Sequence, residues 1–458
     1  MKDLAYELAG NAAVIKYELL PEDIVGITKK FILDTLATTV AGSSAPGCQS
    51  VVGQVKDWGG KEESTVLVYG GKVISSNAAL ANSMMSHALD FDDTHDSATL
   101  HANVSVLPAA LAMSERVGNV SGKELITAVA VGADILCRLG LGASGPLNWV
   151  LSSTAGYFGA TIAAGKILGL DESKLLHALG IAYSQCAGNA QCLVDGGLVK
   201  RMQPAFAARA AVLSSLLAEK GITGAINIFE GHYGFFPLYY RNKYDRERVV
   251  DGLGKTFEGK NLSVKLYPCC RYTHCPIDAT LSIVQENDID PNDVEEVIVH
   301  ATQNAYDLVG RPFEVRESPQ VDAQFSIPYT VSVAIARRGV FIDDFLEERI
   351  KTDAQVLQLA KKVRVIVDQE PIAKGLTPCV VDIKTKDDII CSQPVQALRG
   401  SPERPVGIEE VAQKFSGCAR FSAKAIPEEN LERAIELITN LEKVKDVTEI
   451  VKLLIKKA

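Results

Sequence analysis

One short stretch of this chain concentrates groups that take up and release protons. Residues 87–101 read HALDFDDTHDSATLH and hold three of the seven histidines together with four aspartates. Such groups serve either as metal ligands or as general acids and bases. A solvated helix end is the third interpretation, and it accounts for Asp92 and Asp96. It leaves unexplained why the stretch lies between a buried Ala-rich helix and the apolar segment VSVLPAALA, because loops flanked by buried helices often carry function.

A zinc or iron site built from His87, His95 and His101 is one of these alternatives. Transition metals favour clustered histidines with a carboxylate. The spacings of eight and six residues differ from a compact helical pair such as HExxH, which weakens this interpretation and leaves it open.

The aspartates also fit a diphosphate-binding motif. DDTHD at 92–96 matches DDxxD, and DDFLE at 343–347 is loosely similar, as in helical isoprenoid synthases that bind diphosphate through magnesium. The second motif follows RRGVFI in a β-containing region, where Asp343 or Asp344 is placed to cap a helix. We therefore do not favour this function.

A glycine motif at 140–145, GLGASG, matches GxGxxG. A dinucleotide site requires a strand before the glycines and a helix after them. Here a helical pattern precedes the motif and Pro146 follows it, so we interpret it as a turn.

The composition restricts the class of protein. A chain of 458 residues with 47% hydrophobic and 22% charged residues is typical of a folded globular protein with two domains. Its net charge of −9 argues against a nucleic-acid partner, which requires a basic face. We find no signal peptide and expect no apolar run of about 20 residues that would span a membrane, so we expect a cytoplasmic protein. The ten cysteines lack paired zinc or disulfide spacing, and we expect mostly buried free thiols.

Helical periodicity dominates the amino-terminal part of the chain. Pro21 opens a helix that is predicted to end at Gly42. Ser121 and Glu124 form a capping box before a second helix, and Asp171 caps a third. The many Ala and Gly residues on these helices predict close packing.

Alternating β-branched runs appear only later, in VEEVIVHAT, KVRVIVD and CVVDIKTKDD, with helical patterns between them. After the link RGSPERPVGIEE the pattern is helical again. We therefore predict a mostly-α protein. A large helical domain is built from both chain ends (1–262 and 405–458), and a smaller α+β lid domain (263–404) is inserted between them.

Two basic clusters stand out in this acidic chain. Lys200 and Arg201 precede the helix PAFAAR, and VKLYPCCRYTH contains Lys265, Arg271 and His274. If both faced one cleft, they would bind an anion. Each cluster alone is equally consistent with an ordinary surface charge.

Six ordered blocks together resemble the MmgE/PrpD family, whose members include 2-methylcitrate dehydratase, cis-aconitate decarboxylase and iminodisuccinate epimerase. The blocks are HALDFDDTH with a following His, FGATIAAGKILGLD, VKRMQPAFAARAAVLSSLLAEKGITG, FEGHYGFF, KLYPCCRYTHCPIDA and AQFSIPYTVSVAIARRG. The resemblance covers essentially the whole chain. It implies the two-domain fold predicted above, usually as a homodimer, a small polycarboxylate substrate, and neither a metal nor an organic cofactor. It therefore favours acids and bases in the opening stretch.

The resemblance also implies catalytic residues. The family's active-site Asp and Thr fall on Asp90 and Thr94, and its nearby His falls on His101. Its central Lys falls on Lys200, and the Tyr of the FSIPY block falls on Tyr329.

Substrate binding is implied for the lid block. Its Lys falls on Lys265, and Arg271 and His274 fit the CRxTH version of the block. We expect these residues to bind substrate carboxylates.

Three positions depart from the family pattern. Val150 follows Trp149 where many members carry a His after an aromatic residue. Gln203 replaces a His three residues beyond the central Lys, and Cys270 stands where the decarboxylase carries a lid His. We expect Gln203 and Cys270 to line the substrate site, and their presence leaves the second proton-transfer group open.

Dehydration, decarboxylation and epimerisation of polycarboxylates all build charge on a carbon next to a carboxylate, which calls for a base, a proton donor and fixed positive charge. We predict a hydro-lyase of the 2-methylcitrate dehydratase type. In it, His101 moves a proton, and Asp90 and Thr94 orient His101 or the substrate. Lys200 is an alternative base, with Tyr329 as the proton donor. An epimerase, isomerase or decarboxylase of a related dicarboxylate is the alternative, and a catalytically altered carboxylate-binding protein is a third.

Overall fold

The computed structural model describes residues 2–145, 148–367 and 379–455, apart from the side chains of residues 193 and 194. The chain divides into two compact units. The first unit comprises Met1–Ala88, Asp92–Val264 and Gly407–Ala458, and the second comprises Leu89–Phe91 and Lys265–Val406. Compactness does not test independent folding, so the predicted domain boundaries and the lid role of the second unit stay predictions.

The first unit is built almost entirely of helices. Its α-helices are Leu4–Val14, Glu22–Gly42, Cys48–Asp57, Ser75–His87, Asn103–Val117, Gly122–Gly142, Leu151–Thr154, Gly156–Ile167, Glu172–Tyr183, Gln191–Val194, Gln203–Glu219, Phe235–Tyr240, Arg246–Val250, Ile408–Ala419, Glu428–Thr439 and Thr448–Leu453. Single 3₁₀ turns occupy Tyr17–Leu19, Leu198–Met202, Glu258–Asn261 and Leu441–Lys443. Two short strand pairs complete the unit, Ser64–Thr65 with Lys72–Val73 and Thr94–His95 with Leu262–Ser263.

The local signals that predicted these helices are present as hydrogen bonds. The Ser121 Oγ accepts the Glu124 N–H, and the Glu124 carboxylate accepts the Ser121 N–H. The Asp171 carboxylate accepts the Lys174 N–H at the start of Glu172–Tyr183. These contacts satisfy N–H groups that have no partner within their own helix.

Helix Gly122–Gly142 corrects one expectation. It is long and apolar enough to cross a membrane by length and composition, although we expected no such segment. Of the 18 most apolar consecutive residues of this helix, 94% are buried. The helix also contains the buried Asp134–Arg138 ion pair. Packing inside a protein core explains its composition. A helix precedes the GLGASG motif, as predicted, but it also runs through the first three residues of the motif, so their interpretation as a turn was wrong.

The second unit combines a four-stranded sheet with helices. Strand Val294–Ala301 lies parallel to Val363–Val367 and antiparallel to Cys379–Thr385, which pairs in turn with Ile390–Val395. Val297 and Val299 are buried while their neighbours are half-exposed, as period-2 alternation requires. The first three strands were predicted, and Ile390–Val395 was missed.

The helices of the second unit cover this sheet and extend beyond it. They are Arg271–Glu286, Gln303–Val309, Pro319–Gln324, Ile327–Arg337, Glu347–Thr352 and Ala354–Ala360, with 3₁₀ turns at Pro291–Asp293 and Ile342–Phe345. Helix dominates the described residues of both units, which confirms the mostly-α prediction. All ten cysteines are free thiols, as expected.

Candidate active site

Two histidines and one aspartate form a hydrogen-bonded cluster in the first unit. His87 is the last residue of helix Ser75–His87, and His101 lies just before helix Asn103–Val117. Between them in sequence, Asp92 places its Oδ2 atom 3.0 Å from His87 Nδ1 and 2.8 Å from His101 Nδ1. The side chain of Asp92 is 0% exposed and that of His101 is 18% exposed. The interpretation of Asp92 as a solvated helix end was therefore wrong.

The partners of His101 determine which of its nitrogens carries the proton. Its Nδ1 atom also lies 2.7 Å from the backbone oxygen of Asp93. A carboxylate and a carbonyl only accept hydrogen bonds, so Nδ1 carries the proton and Nε2 carries the lone pair. No group among the described residues bonds Nε2. His101 is therefore arranged to accept a proton at Nε2.

The charge state of the cluster follows from its surroundings. Burial disfavours the imidazolium of His87 and, against the attraction of Asp92, lowers its pKa to about 4, helped by the positive charge of Lys200. Burial alone would raise the pKa of Asp92, but the two imidazoles hold it well below its usual range. Asp92 is thus a carboxylate and His87 a neutral donor at physiological pH.

Asp93 fixes the chain around His101. Its carboxylate accepts the backbone N–H groups of Ala102 and Asn103 at the start of helix Asn103–Val117. The side chain is fully buried, and burial together with the neighbouring Asp92 raises its pKa to about 7. Asp93 therefore holds His101 in two ways, through this helix start and through its own carbonyl.

The cluster bears on the metal site that the sequence left open as an alternative. The ligand atoms of His87, Asp92 and His101 lie within 4.8 Å of one another. The third predicted histidine, His95, lies instead with Nε2 3.5 Å from Glu258. Each Nδ1 of the cluster faces Asp92 at hydrogen-bond distance, so shared protons account for the geometry. We interpret the three side chains as a hydrogen-bonded cluster and not as metal ligands.

Lys200 is the catalytic candidate that the structure associates with this cluster. It lies half-buried in the turn Leu198–Met202, and its charge acts on His87. Its neighbour Arg201 is buried and donates a hydrogen bond to the Pro46 carbonyl. The two basic residues of this segment thus differ in role, since Arg201 is engaged in holding the fold.

The two remaining candidates of the first unit lie in ordered surroundings. Thr94 is buried in the strand pair with Ser263. Gln203 opens helix Gln203–Glu219, and its amide donates to the Asn189 carbonyl and contacts the Cys192 sulfur. Their assigned roles toward a substrate stay predictions.

The second unit holds a separate, cationic cluster. Lys265 is 1% exposed, and its Nζ atom lies 2.9 Å from the Asp90 backbone oxygen and 3.2 Å from Asp90 Oδ2. Asp90 adopts a left-handed backbone conformation with φ of 53°, which is uncommon for residues other than glycine. It thereby offers two oxygens to one ammonium group. The pair is buried, so each charge depends on the other.

Arg271 and His274 extend this cluster at the start of helix Arg271–Glu286. The Arg271 Nη1 atom is 3.4 Å from His274 Nδ1, and His274 Nε2 is 3.3 Å from the Cys269 carbonyl. A guanidinium only donates, so Nδ1 accepts and Nε2 donates. Burial, with the charges of Arg271 and Lys265, lowers the pKa of His274 well below its usual value. His274 is therefore neutral, and both of its ring nitrogens are engaged in hydrogen bonds.

Both adjacent cysteines, Cys269 and Cys270, are buried. Burial raises the pKa of Cys269, whose sulfur accepts the Thr273 hydroxyl. Cys270 is buried, and its N–H donates to the Gln324 carbonyl. The expected place of Cys270 in the lining of the substrate site stays a prediction.

Tyr329 lies in the second unit with its hydroxyl already engaged. The hydroxyl donates to the Asp344 carbonyl at 2.5 Å, and its ring packs 4.8 Å from that of Phe313. Burial raises its pKa. Its role as a proton donor stays a prediction.

Sequence reasoning missed two residues that organise these clusters. Asp92, and not Asp90, is the carboxylate that orients His101, and no spacing rule distinguishes the aspartates of DFDD. Gln324 donates to the carbonyls of Leu89 and Pro268, and so ties the segment of Asp90 to that of Lys265. Its position in the AQFSIPY block was the available signal.

Comparison with known proteins identifies the family of this chain. Residues 6–247 match the MmgE/PrpD N-terminal domain, and residues 267–443 match the MmgE/PrpD C-terminal domain. A cis-aconitate decarboxylase of Aspergillus terreus is 29% identical over 98% of this chain and 95% of its own length. The cis-aconitate decarboxylases of Homo sapiens and Mus musculus are 26% and 25% identical, each over 99% of this chain and 95% and 94% of their own lengths. The chain belongs to the MmgE/PrpD family of enzymes.

Proposed function

We propose that the protein is a cofactor-independent lyase that moves a proton on a carbon next to a carboxylate of a small polycarboxylate and then eliminates water. The observation that carries the proposal is the Asp92–His101 pair, in which Nδ1 is held as a donor and Nε2 is left with its lone pair. This is the arrangement of a general base.

His101 takes the proton from carbon in this proposal, and Asp92 stabilises the imidazolium that forms. The electron pair left on carbon expels the β-hydroxyl group, which leaves as water after gaining a proton. Lys200 supplies positive charge beside the cluster and is our candidate for that proton donor, because its charge acts on His87. A positioned general acid or base contributes about 10²- to 10⁴-fold.

Roles for the residues of the second unit stay predictions. Lys265 and Arg271 carry the charges that would bind substrate carboxylates, with His274 and Cys270 beside them. The chemistry that supports this assignment is the preference of fixed ammonium and guanidinium groups for carboxylates. We likewise propose a cytoplasmic protein and, from family resemblance, a homodimer; light scattering of the purified protein would test the homodimer.

Decarboxylation of cis-aconitate is the second candidate function. The names of the Aspergillus, human and mouse relatives favour it. It needs a proton delivered to carbon after the carboxyl group leaves, which protonated His101 would also supply.

Product analysis of one reaction panel separates these functions. The enzyme is incubated in D₂O with 2-methylcitrate, citrate, cis-aconitate and iminodisuccinate, and the products are followed by NMR. Loss of water from a hydroxy acid supports the hydro-lyase, and loss of CO₂ from cis-aconitate supports the decarboxylase. Deuterium exchange without either loss indicates an epimerase or isomerase. Binding with no reaction or exchange would contradict an enzymatic role and favour the altered binding protein.

A further inference from the structure

We infer that His87, which lies outside the site derived from the sequence, is a positioning residue for His101: as a neutral donor it holds the same oxygen of Asp92 and so sets the orientation and the basicity of His101. The inference rests on the proposed function only in taking His101 as the base. It concerns a hydrogen bond that is measurable without any substrate.

The geometry makes His87 a donor to Asp92 and to nothing else that is described. The two Nδ1 atoms converge on Oδ2 at 3.0 Å and 2.8 Å, and the imidazole ring centroids are 4.9 Å apart. The other nitrogen of His87, Nε2, is buried and has no partner among the described residues. An imidazole buried in this way leaves one polar atom unsatisfied, which costs stability. The imidazole of His87 provides a hydrogen bond to Asp92, which an apolar ring in its place would not provide.

Burial distinguishes His87 from His101. The side chain of His87 is 1% exposed and that of His101 is 18% exposed, so His101 is our candidate base. Burial also keeps the imidazole neutral above about pH 4. His87 therefore stays a neutral donor to Asp92 from about pH 4 upward.

Sharing one carboxylate oxygen between two donors has a consequence for His101. Each donor withdraws part of the negative charge that would otherwise stabilise the imidazolium of His101. Removing the donor of His87 leaves Asp92 as a stronger acceptor, which makes Nε2 of His101 more basic. The Asp92 carboxylate is also held less firmly without His87, because its Oδ1 atom has no partner among the described residues.

The remaining charges around the cluster stay the same when His87 is replaced. The buried Asp34 carboxylate is paired with Lys414 at 2.7 Å and acts on Asp93. Among the described residues, the titratable and charged groups in or around the cluster include Lys30, Asp34, His87, Asp92, Asp93, His101, Cys137, Lys200 and Lys414. A shift in the titration of His101 on replacing His87 therefore reports on the bond to Asp92.

Two replacements separate donation from space-filling. His87→Phe keeps an aromatic ring and removes the donor, whereas His87→Asn keeps an N–H group near the position of Nδ1. We expect His87→Phe to move the acidic limb of kcat/KM to higher pH by about one unit and to lower kcat about tenfold. His87→Asn should keep the limb of the wild type. An unchanged limb in His87→Phe, or the same shift in both variants, would overturn the inference.

Nuclear magnetic resonance of ¹⁵N-labelled histidine tests the same bond without turnover. In the wild type, His87 should show the Nδ1–H neutral form from pH 8 to pH 5, and His101 should titrate at a higher pH in His87→Phe than in the wild type or His87→Asn. If His87 of the wild type shows the Nε2–H form, the inference is contradicted. This observation does not require a folded His87→Phe variant. Absence of activity on every substrate of the panel would count against the proposed function alone, because this titration still decides the role of His87.

Discussion

His101 and His274 both lie in buried clusters, one in each unit, and their partners give them opposite chemistry. His101 faces a carboxylate and a carbonyl, which fix its proton on Nδ1 and leave Nε2 basic. His274 faces a guanidinium and a carbonyl, so both of its nitrogens are occupied. The first cluster is arranged to move a proton and the second to hold positive charge. Residue type alone therefore does not identify a catalytic histidine, because the charges around the imidazole decide its role.

The largest effect should come from removing the basic nitrogen of the first cluster. His101→Asn retains an N–H donor for Asp92 but has no atom that accepts a proton from carbon. We expect kcat/KM to fall by about 10²- to 10⁴-fold on the best substrate of the panel. Steady-state rates measure the loss.

His101→Gln is the companion variant, and thermal unfolding of both variants is the control for folding. Near-wild-type activity in either folded variant would show that His101 is not the base. The contrast between His101 as a proton acceptor and His274 as a neutral residue would then not hold.

The second unit should respond to the loss of its buried ammonium mainly in stability. Lys265→Met leaves the Asp90 carboxylate buried without its partner, which we expect to lower the free energy of unfolding by about 3 kcal/mol. The matched double variant Lys265→Met/Asp90→Asn removes the stranded charge as well and should regain most of that stability without regaining substrate affinity. Denaturant titration compares the three proteins, and equal stability of the wild type and Lys265→Met would show that the pair does not stabilise the fold.

His274 should affect binding and leave the pH dependence alone. Because its pKa lies well below the usual value, it stays neutral around neutral pH. We expect His274→Leu, which removes one hydrogen-bond acceptor of the Arg271 guanidinium, to raise KM about tenfold with the acidic limb of the rate profile in place. A limb that moves with this variant would mean that His274 takes part in proton transfer.

Asp93 provides the smallest and most pH-dependent effect. Between its usual pKa of 3.8 and its raised pKa of about 7 the unfolded chain releases this proton while the folded chain keeps it. The wild type therefore loses stability as pH rises through that window. Asp93→Asn cannot ionise, so we expect its stability relative to the wild type to be at least about 1 kcal/mol greater at pH 8 than at pH 5. Unfolding midpoints at the two pH values measure this, and a difference of the opposite sign would contradict the burial of an ionisable Asp93.

Features of the fold that depend on neighbouring residues in sequence were predictable. The caps at Ser121 and Asp171 are local contacts, and the strand Val294–Ala301 has the alternation that a sheet with one covered face requires. Strand Ile390–Val395 was missed because it is an edge strand with mixed polarity and contains Pro394, which an edge strand tolerates. The sequence did not reveal helix Gly122–Gly142 as a long apolar segment, because the two charged residues of its buried ion pair interrupt the apolar run.

The site was predictable as a group of residues but not as a set of contacts. The sequence placed His101 and Lys265 among the candidates, yet Asp90 and Asp92 differ by two positions and point to different partners. Backbone conformation separates them, since Asp90 takes a left-handed φ and Asp92 does not. Such a turn depends on the surrounding fold and leaves no pattern in DFDD. The role of His87 depends likewise on a shared oxygen that no sequence spacing reveals.

Transfer of hydrogen at carbon is the most direct test of the central claim that the Asp92–His101 pair is the base. The wild type and His101→Asn are incubated in D₂O with the substrate that the panel identifies, and deuterium at the carbon next to the carboxylate is followed by NMR in substrate and product. We predict deuterium at that carbon with the wild type and at most about one hundredth of that rate with His101→Asn. Incorporation at the wild-type rate in the folded variant would contradict the account.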